Sequence, residues 1–194
     1  MRRYSLSFQL SKTIMPLESP DKEFFNAAVG YTQLGMFLEA NEQLENIDPF
    51  NRVAPEVLAL RVDIYRGLQK WDLMREIAGR LCEFDPTKVQ WAISYAYATR
   101  RANDLNAARD ILVASLSKFP REAIIYYNLA CYECQSNRID SARQYLKQAF
   151  RIDPNWISQA LEDQDLKPLW DYLGDLNKGR QLESPAAIAT VSKH

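Results

Sequence analysis

The side chains able to do chemistry in this chain are few, and their spacing limits what they can do. Cys131 and Cys134 stand three residues apart, the spacing of a redox pair or of half a zinc site. A tetrahedral zinc site needs four ligands. The chain offers only one further cysteine, Cys82, and one histidine, His194, which is its last residue. The pair lies within one helical stretch and no second pair follows, so a structural role is the preferred reading. The same shortage removes Ser-His and Cys-His nucleophile pairs. Gly30, Gly35 and Gly67 form no phosphate-cradling loop, and no strand precedes them. Glu162 and Asp163 are adjacent, so on a helix they point about 100° apart, which suits a solvated face better than an acid/base pair. The expectation is a protein that is not an enzyme, with no catalytic residue, no metal and no cofactor.

Composition narrows the class further. The 194 residues are 47% apolar and 25% charged, the profile of a soluble globular protein large enough for a stable core. Twenty-four basic and twenty-five acidic side chains nearly cancel, which argues against the broad positive field of a nucleic-acid binder. No window approaches the apolar length of a membrane span. The opening Met1-Arg2-Arg3-Tyr4-Ser5 is basic, but no apolar core of a signal peptide follows it. Three cysteines make no disulfide framework, which agrees with a reducing compartment. These features predict a cytoplasmic protein that binds neither nucleic acid nor membrane.

The elements that carry these residues are set by a period of 34. With Ala123 as the first residue of a unit, earlier units begin at Val89, Pro55 and Asp21 without insertion. The eighth position then holds Ala28, Val62, Ala96 and Ala130, and the twentieth holds Ala40, Met74, Ala108 and Ala142. The twenty-fourth holds Leu44, Ala78, Leu112 and Leu146, and the seventeenth Phe37, Trp71, Leu105 and Ile139. Small residues recur where helix backbones must approach, with larger apolar ones around them.

This pattern resembles the tetratricopeptide-repeat (TPR) family, whose signature combines Trp-x2-Leu-Gly-x2-Tyr, Ala-x3-Phe and Pro. The fourth unit matches best, through Tyr126, Leu129, Ala130, Ala142, Leu146, Ala149 and Asp153-Pro154. The first carries Phe24, Ala28, Tyr31 and Gly35; the second and third close with Asp85-Pro86 and Phe119-Pro120. The resemblance covers Asp21 to Trp156 and implies an all-α fold, a TPR-type solenoid of helical hairpins wound as a right-handed superhelix and closed by a capping helix. Four departures stand out. Arg61 and Glu133 occupy usually apolar or aromatic positions, Thr99 is small where Tyr is common, and Arg52 takes the usual proline slot. Pro55 then falls at the start of a helix, where its missing N–H is harmless.

In the fourth unit the pattern predicts helices over residues 123–135 and 140–151, with Asp140 as the N-cap of the second. Residues 157–177 read as the cap, because ALEDQDLKPLW resembles the closing segment of TPR proteins. Its Glu162, Asp163 and Asp165 are alternatively a cation or partner site. Residues 178–194 lack periodicity and read as a disordered tail. Residues 1–20 form an arm, disordered or extended through the alternation of Tyr4, Leu6, Phe8 and Leu10. An extended arm could lie along the groove or mediate self-association.

The resemblance also implies where a partner binds. In TPR proteins the first helix of each hairpin lines a concave groove, and positions 2, 5, 9, 12 and 13 touch the ligand. Carried over, these include Phe25 and Val29; Asp63 and Arg66; Ile93, Tyr97, Arg100 and Arg101; and Tyr127, Cys131, Cys134 and Gln135. Arginine forks grip carboxylates and tyrosines supply rigid contact area. The sharper expectation is an extended peptide bearing acidic residues or a C-terminal carboxylate. The plainer one is that these arginines are solvated or pair with Asp63 and Asp104. The predicted function is a non-catalytic protein-interaction scaffold. The alternatives are a TPR-type chaperone holding a client and a structural subunit that uses its outer helices.

Overall fold

The computed structural model describes residues 17–182, which fall into two compact units divided after Lys70. Among the described residues there is no strand, and no helix is long and apolar enough to cross a membrane. The expected N-terminal strand from Tyr4 to Leu10 lies outside them.

The first unit contains α1 (Asp21–Gln33), α2 (Phe37–Glu45) and α3 (Pro55–Gly67). Ala28, Ala40 and Leu44 are fully buried, so α1 and α2 meet through small and branched side chains. The link to α3 is unlike the other connections. It contains a 3-10 turn at Asn51–Val53, and Pro55 occupies the first turn of α3. Arg52 holds this link, its Nε donating to the Ile47 carbonyl at 2.6 Å and its Nη1 to Glu45 Oε2 at 2.9 Å. Its Nη2 also donates to the Glu45 carbonyl, so the guanidinium satisfies carbonyls left open at the end of α2. From the other side Asp21 accepts from the Asp48 amide at 3.0 Å and from Asn51 Nδ2 at 2.7 Å. Arg61, 8% exposed, meets Glu45 at 2.8 Å and donates to the Tyr65 hydroxyl at 3.2 Å. An ion pair between helices thus accounts for arginine at an otherwise apolar position.

The second unit runs from α4 (Trp71–Phe84) through α5 (Val89–Arg101), α6 (Leu105–Ser115), α7 (Ala123–Gln135) and α8 (Ile139–Ile152). It closes with α9 (Trp156–Ala160), a 3-10 turn at Gln164–Leu169 and α10 (Trp170–Leu182). One core joins Ala96, Ala108 and Leu112 to Leu129, Ala130, Ala142 and Leu146, then to Leu166, Leu169 and Leu173 of the closing segment. The cap is part of that core, since Ile157 and Ala160 are also buried against it. α10 continues five residues past the boundary expected at 177, while residues 183–194 are outside the described chain. Thr99, 3% exposed, returns its hydroxyl to the Tyr95 carbonyl at 2.7 Å, which is how a small polar residue fits there.

The tight turns share one geometry. Gly35, Gln69, Asn103 and Asn137 have φ of 74°, 54°, 68° and 57°, each just past the end of a helix. In each case the next amide bonds back five residues, as Met36 to Tyr31, Lys70 to Tyr65, Asp104 to Thr99 and Arg138 to Glu133. This is the Schellman motif, which satisfies the open carbonyls of a helix end. Asp104 then caps α6, accepting from the Ala107 amide at 2.9 Å. Asp140 does not cap α8 as expected. The helix begins one residue earlier at Ile139, which carries Asp140 into its first turn, where it faces Arg143 at 3.4 Å.

Candidate functional site

The third and fourth first-of-pair helices, α5 and α7, present the residues expected to meet a ligand, and the chain's own closing segment reaches part of them. Between α9 and α10 the backbone turns through Asp163-Gln164-Asp165. Asp163 stabilises that turn itself, its Oδ1 accepting from the Asp165 amide at 2.9 Å. Trp170 Nε1 donates to the Asp163 carbonyl at 3.1 Å and ties the turn to α10. Leu166 and Leu169, 0% and 1% exposed, anchor it in the core.

Held in this way, the two carboxylates lie along α7. Tyr127 donates its phenol to Asp163 Oδ2 at 2.7 Å, and the Cys131 thiol lies 3.7 Å from the same oxygen. Gln135 donates its side-chain amide to Asp165 Oδ1, and Arg100 of α5 meets Asp165 Oδ2 at 2.7 Å. Arg100 also lies over the Tyr132 ring at 5.4 Å, and Tyr127 packs on Trp156 with centroids 4.6 Å apart. Burial alone would lower the pKa of Arg100, but its hydrogen bond and attraction to Asp165 outweigh that and raise it. Burial, reinforced by Asp163, pushes the Tyr127 phenol and the Cys131 thiol up, so both stay protonated at neutral pH.

This arrangement corrects two assignments. Tyr127 and Cys131, each 3% exposed, are covered by the cap and leave no surface for a partner. Cys134 is buried in the same way. The physical reason is local: the acidic turn satisfies the polar atoms of this face while Leu166 and Leu169 seal its apolar flank. Of the plainer pairings, Arg66 does meet Asp63, whereas Arg100 pairs with Asp165 and Asp104 serves as a helix cap. Cys131, Asp163 and Asp165 bring their ligand atoms within 4.8 Å of one another. The Arg100 guanidinium already supplies positive charge there.

The other candidates remain accessible. On α5, Ile93 and Tyr97 are partly exposed and Arg101 is exposed. Arg101 stacks over Trp71 at 4.8 Å, and Tyr97 meets the same indole edge-on at 5.8 Å. Trp71 therefore holds a platform of one cation and two aromatic rings. The repeat pattern counts Trp71 among the apolar packing positions; it is partly exposed, and its bulk at a position that holds Leu or Ile in the following units is the signal for that. In the first unit Phe25 and Val29 are partly exposed on α1, and Arg66 meets Asp63 at 3.1 Å on α3.

The thiols lack the environment of a nucleophile. Burial pushes Cys82 up to about 11 and raises Cys134 as well, whereas reactive cysteines have lowered values.

The sequence matches no protein-family model and no curated protein. Solved structures of MamA, a TPR-like helical-repeat protein, do match the fold. MamA 41-end from Desulfovibrio magneticus RS-1 superposes with a TM-score of 0.68 at 16% identity, covering 87% of this chain and 97% of that one. MamA AMB-1 gives 0.62 at 15% identity over 90% and 97% of the two chains. MamA MSR-1 gives 0.62 at 18% identity over 70% and 78%. The fold is a TPR-type α-solenoid. At these identities the likeness concerns the path of the backbone, and side-chain roles must come from this chain's own residues.

Proposed function

We propose that the chain is a non-catalytic protein-interaction scaffold of four TPR units beginning at Asp21, Pro55, Val89 and Ala123, followed by a cap. The observation that carries this reading is the contact of Asp163 and Asp165 with Tyr127, Gln135 and Arg100. Those residues stand at positions where TPR helices touch their ligands, and here they grip carboxylates of the chain's own cap. Arg101, exposed on the same helix as Arg100, carries that carboxylate-binding chemistry to the open part of the face, which suits an acidic peptide or a C-terminal carboxylate. The part left for a partner on the second unit is Ile93, Tyr97 and Arg101 beside Trp71. Phe25, Val29, Asp63 and Arg66 form the corresponding surface of the first unit. Raised thiol pKa values support the absence of nucleophilic chemistry, and the free cysteines support a cytoplasmic setting.

The test is a quantitative pull-down comparing the wild-type chain with the double variant Tyr97→Ala, Arg101→Glu. Arg100 stays intact because it holds the cap. Loss of a specific protein by the variant, at equal helicity in circular dichroism, is the expected result. Capture of the same proteins in the same amounts by both would contradict the assignment of this face.

A further inference from the structure

α5 presents a second face to a different environment. Ala92 and Tyr95 lie roughly 140° round the helix from the centre of Ile93, Tyr97 and Arg100, and they look into the gap between α4 and α6. A cleft of about 230 Å³ opens there. Small side chains create it: Cys82 on α4, Ala92 on α5 and Ala114 on α6. Beside them the Ser115 hydroxyl is occupied, donating to the Ile111 carbonyl at 2.8 Å, so the floor formed with Phe119 is apolar.

The mouth is cationic. Among the described residues, Lys88 and Lys118 are the charged side chains lining the cleft, and both are exposed. Lys88 faces Asp85 at 3.6 Å. Lys118 has no ion-pair partner among the described residues, and its charge acts on Cys82 at the cleft wall. The volume is below the roughly 300–1,000 Å³ of clefts that enclose a whole small ligand. At ~30 Å³ of liquid per water it equals about eight waters, the size of one large apolar side chain.

We propose that this cleft receives a single large apolar side chain of a protein partner, flanked in that partner by acidic residues that meet Lys118 and Lys88. An apolar anchor filling a pocket supplies affinity, and charge around the mouth selects the partner and speeds its approach. The site uses the outer side of α4 and α6 and is independent of the α5 face around Tyr97. The scaffold therefore carries two docking surfaces in its second unit.

The experiment measures fluorescence anisotropy of two labelled peptides on the full chain. One carries a central Leu-Phe pair between runs of Glu and Asp, and the other has Lys at every acidic position. The acidic peptide is expected to bind saturably and to slow alkylation of Cys82 by N-ethylmaleimide. Ala114→Trp fills the cleft from an exposed helical position and is expected to weaken binding about tenfold or more. Lys118→Glu should weaken it similarly, and Arg151→Glu on the exposed side of α8 should leave it unchanged. Binding that survives Ala114→Trp, or is matched by the lysine peptide, overturns the proposal. So does binding abolished by Arg151→Glu, or an acidic peptide that fails to saturate by roughly millimolar concentration.

Discussion

Glu133 sits on α7 at a position where the repeat pattern expects an apolar or aromatic side chain, yet it is 1% exposed. Arg109 Nε of α6 meets one carboxylate oxygen at 2.5 Å, and Arg138 Nε engages the other. Burial alone would raise its pKa, but the two arginines more than offset this and hold it below its ordinary value of 4.5. A carboxylate depressed in the folded state contributes stability that is full above that ordinary value and is lost as pH falls through the lowered one. Glu133→Ala, which removes the buried carboxylate that two partly exposed arginines share, should therefore cost about 2 kcal/mol in urea titration at neutral pH. Repeating the titrations between pH 6 and pH 3, Glu133→Gln should lose stability less steeply on acidification than the wild-type chain. Equal slopes would mean that the carboxylate is not held by its partners. The oddity of Glu133 was legible in the sequence, as was that of Arg61. Their partners were not, because the contacts from Arg109 to Glu133 and from Arg61 to Glu45 span separate helices and depend on side-chain reach across the packed interface.

Among the elements, each left-handed turn residue follows a 13-residue helix, and the four positions differ in how well they suit that backbone. Glycine carries no penalty there and asparagine a small one, whereas glutamine at 69 is strained by roughly 1 kcal/mol. Gln69→Gly should raise stability by roughly 0.5 kcal/mol once the greater freedom of the unfolded chain is subtracted. Asn137→Gly should change little, so thermal melts of the two variants separate strain from a general glycine effect. Gly67 makes the opposite case. A Cβ added there would lie 2.3 Å from the Phe37 ring of α2, so α3 and α2 depend on its absence. Alanine favours helices by roughly 0.5–1 kcal/mol, but the overpacking outweighs that. Gly67→Ala should destabilise the chain by about 1 kcal/mol, with part of the loss recovered when Phe37 is also changed to Leu. Helix existence and the buried columns were legible because they follow a short-range period. The need for glycine at 67 was not, since it arises from a ring on another helix.

For the molecule as a whole, the sequence carried the fold further than the site. Ala28, Val62, Ala96 and Ala130, the eighth-position column, are all at most 1% exposed. The candidate groove divided in two because periodicity assigns residues to a helix face without saying what later chain will cover it. The closing segment is legible as a cap from ALEDQDLKPLW, and its acidic residues stand out there. That Asp163 and Asp165 would fall against Tyr127 and Arg100 required the depth of the turn, which Leu166, Leu169 and Trp170 set. The surface that remains around Ile93, Tyr97, Arg101 and Trp71 therefore bears the central claim. The most direct test is site-specific photo-crosslinking in source cells, with a benzoylphenylalanine replacing Ile93 and, as a control, Arg151 on the exposed side of α8. The account predicts a discrete protein adduct from position 93 whose crosslinked peptide is rich in Asp and Glu, or ends in a free carboxylate, and that is absent from position 151. No adduct at position 93, or the same adducts from both positions, would contradict it.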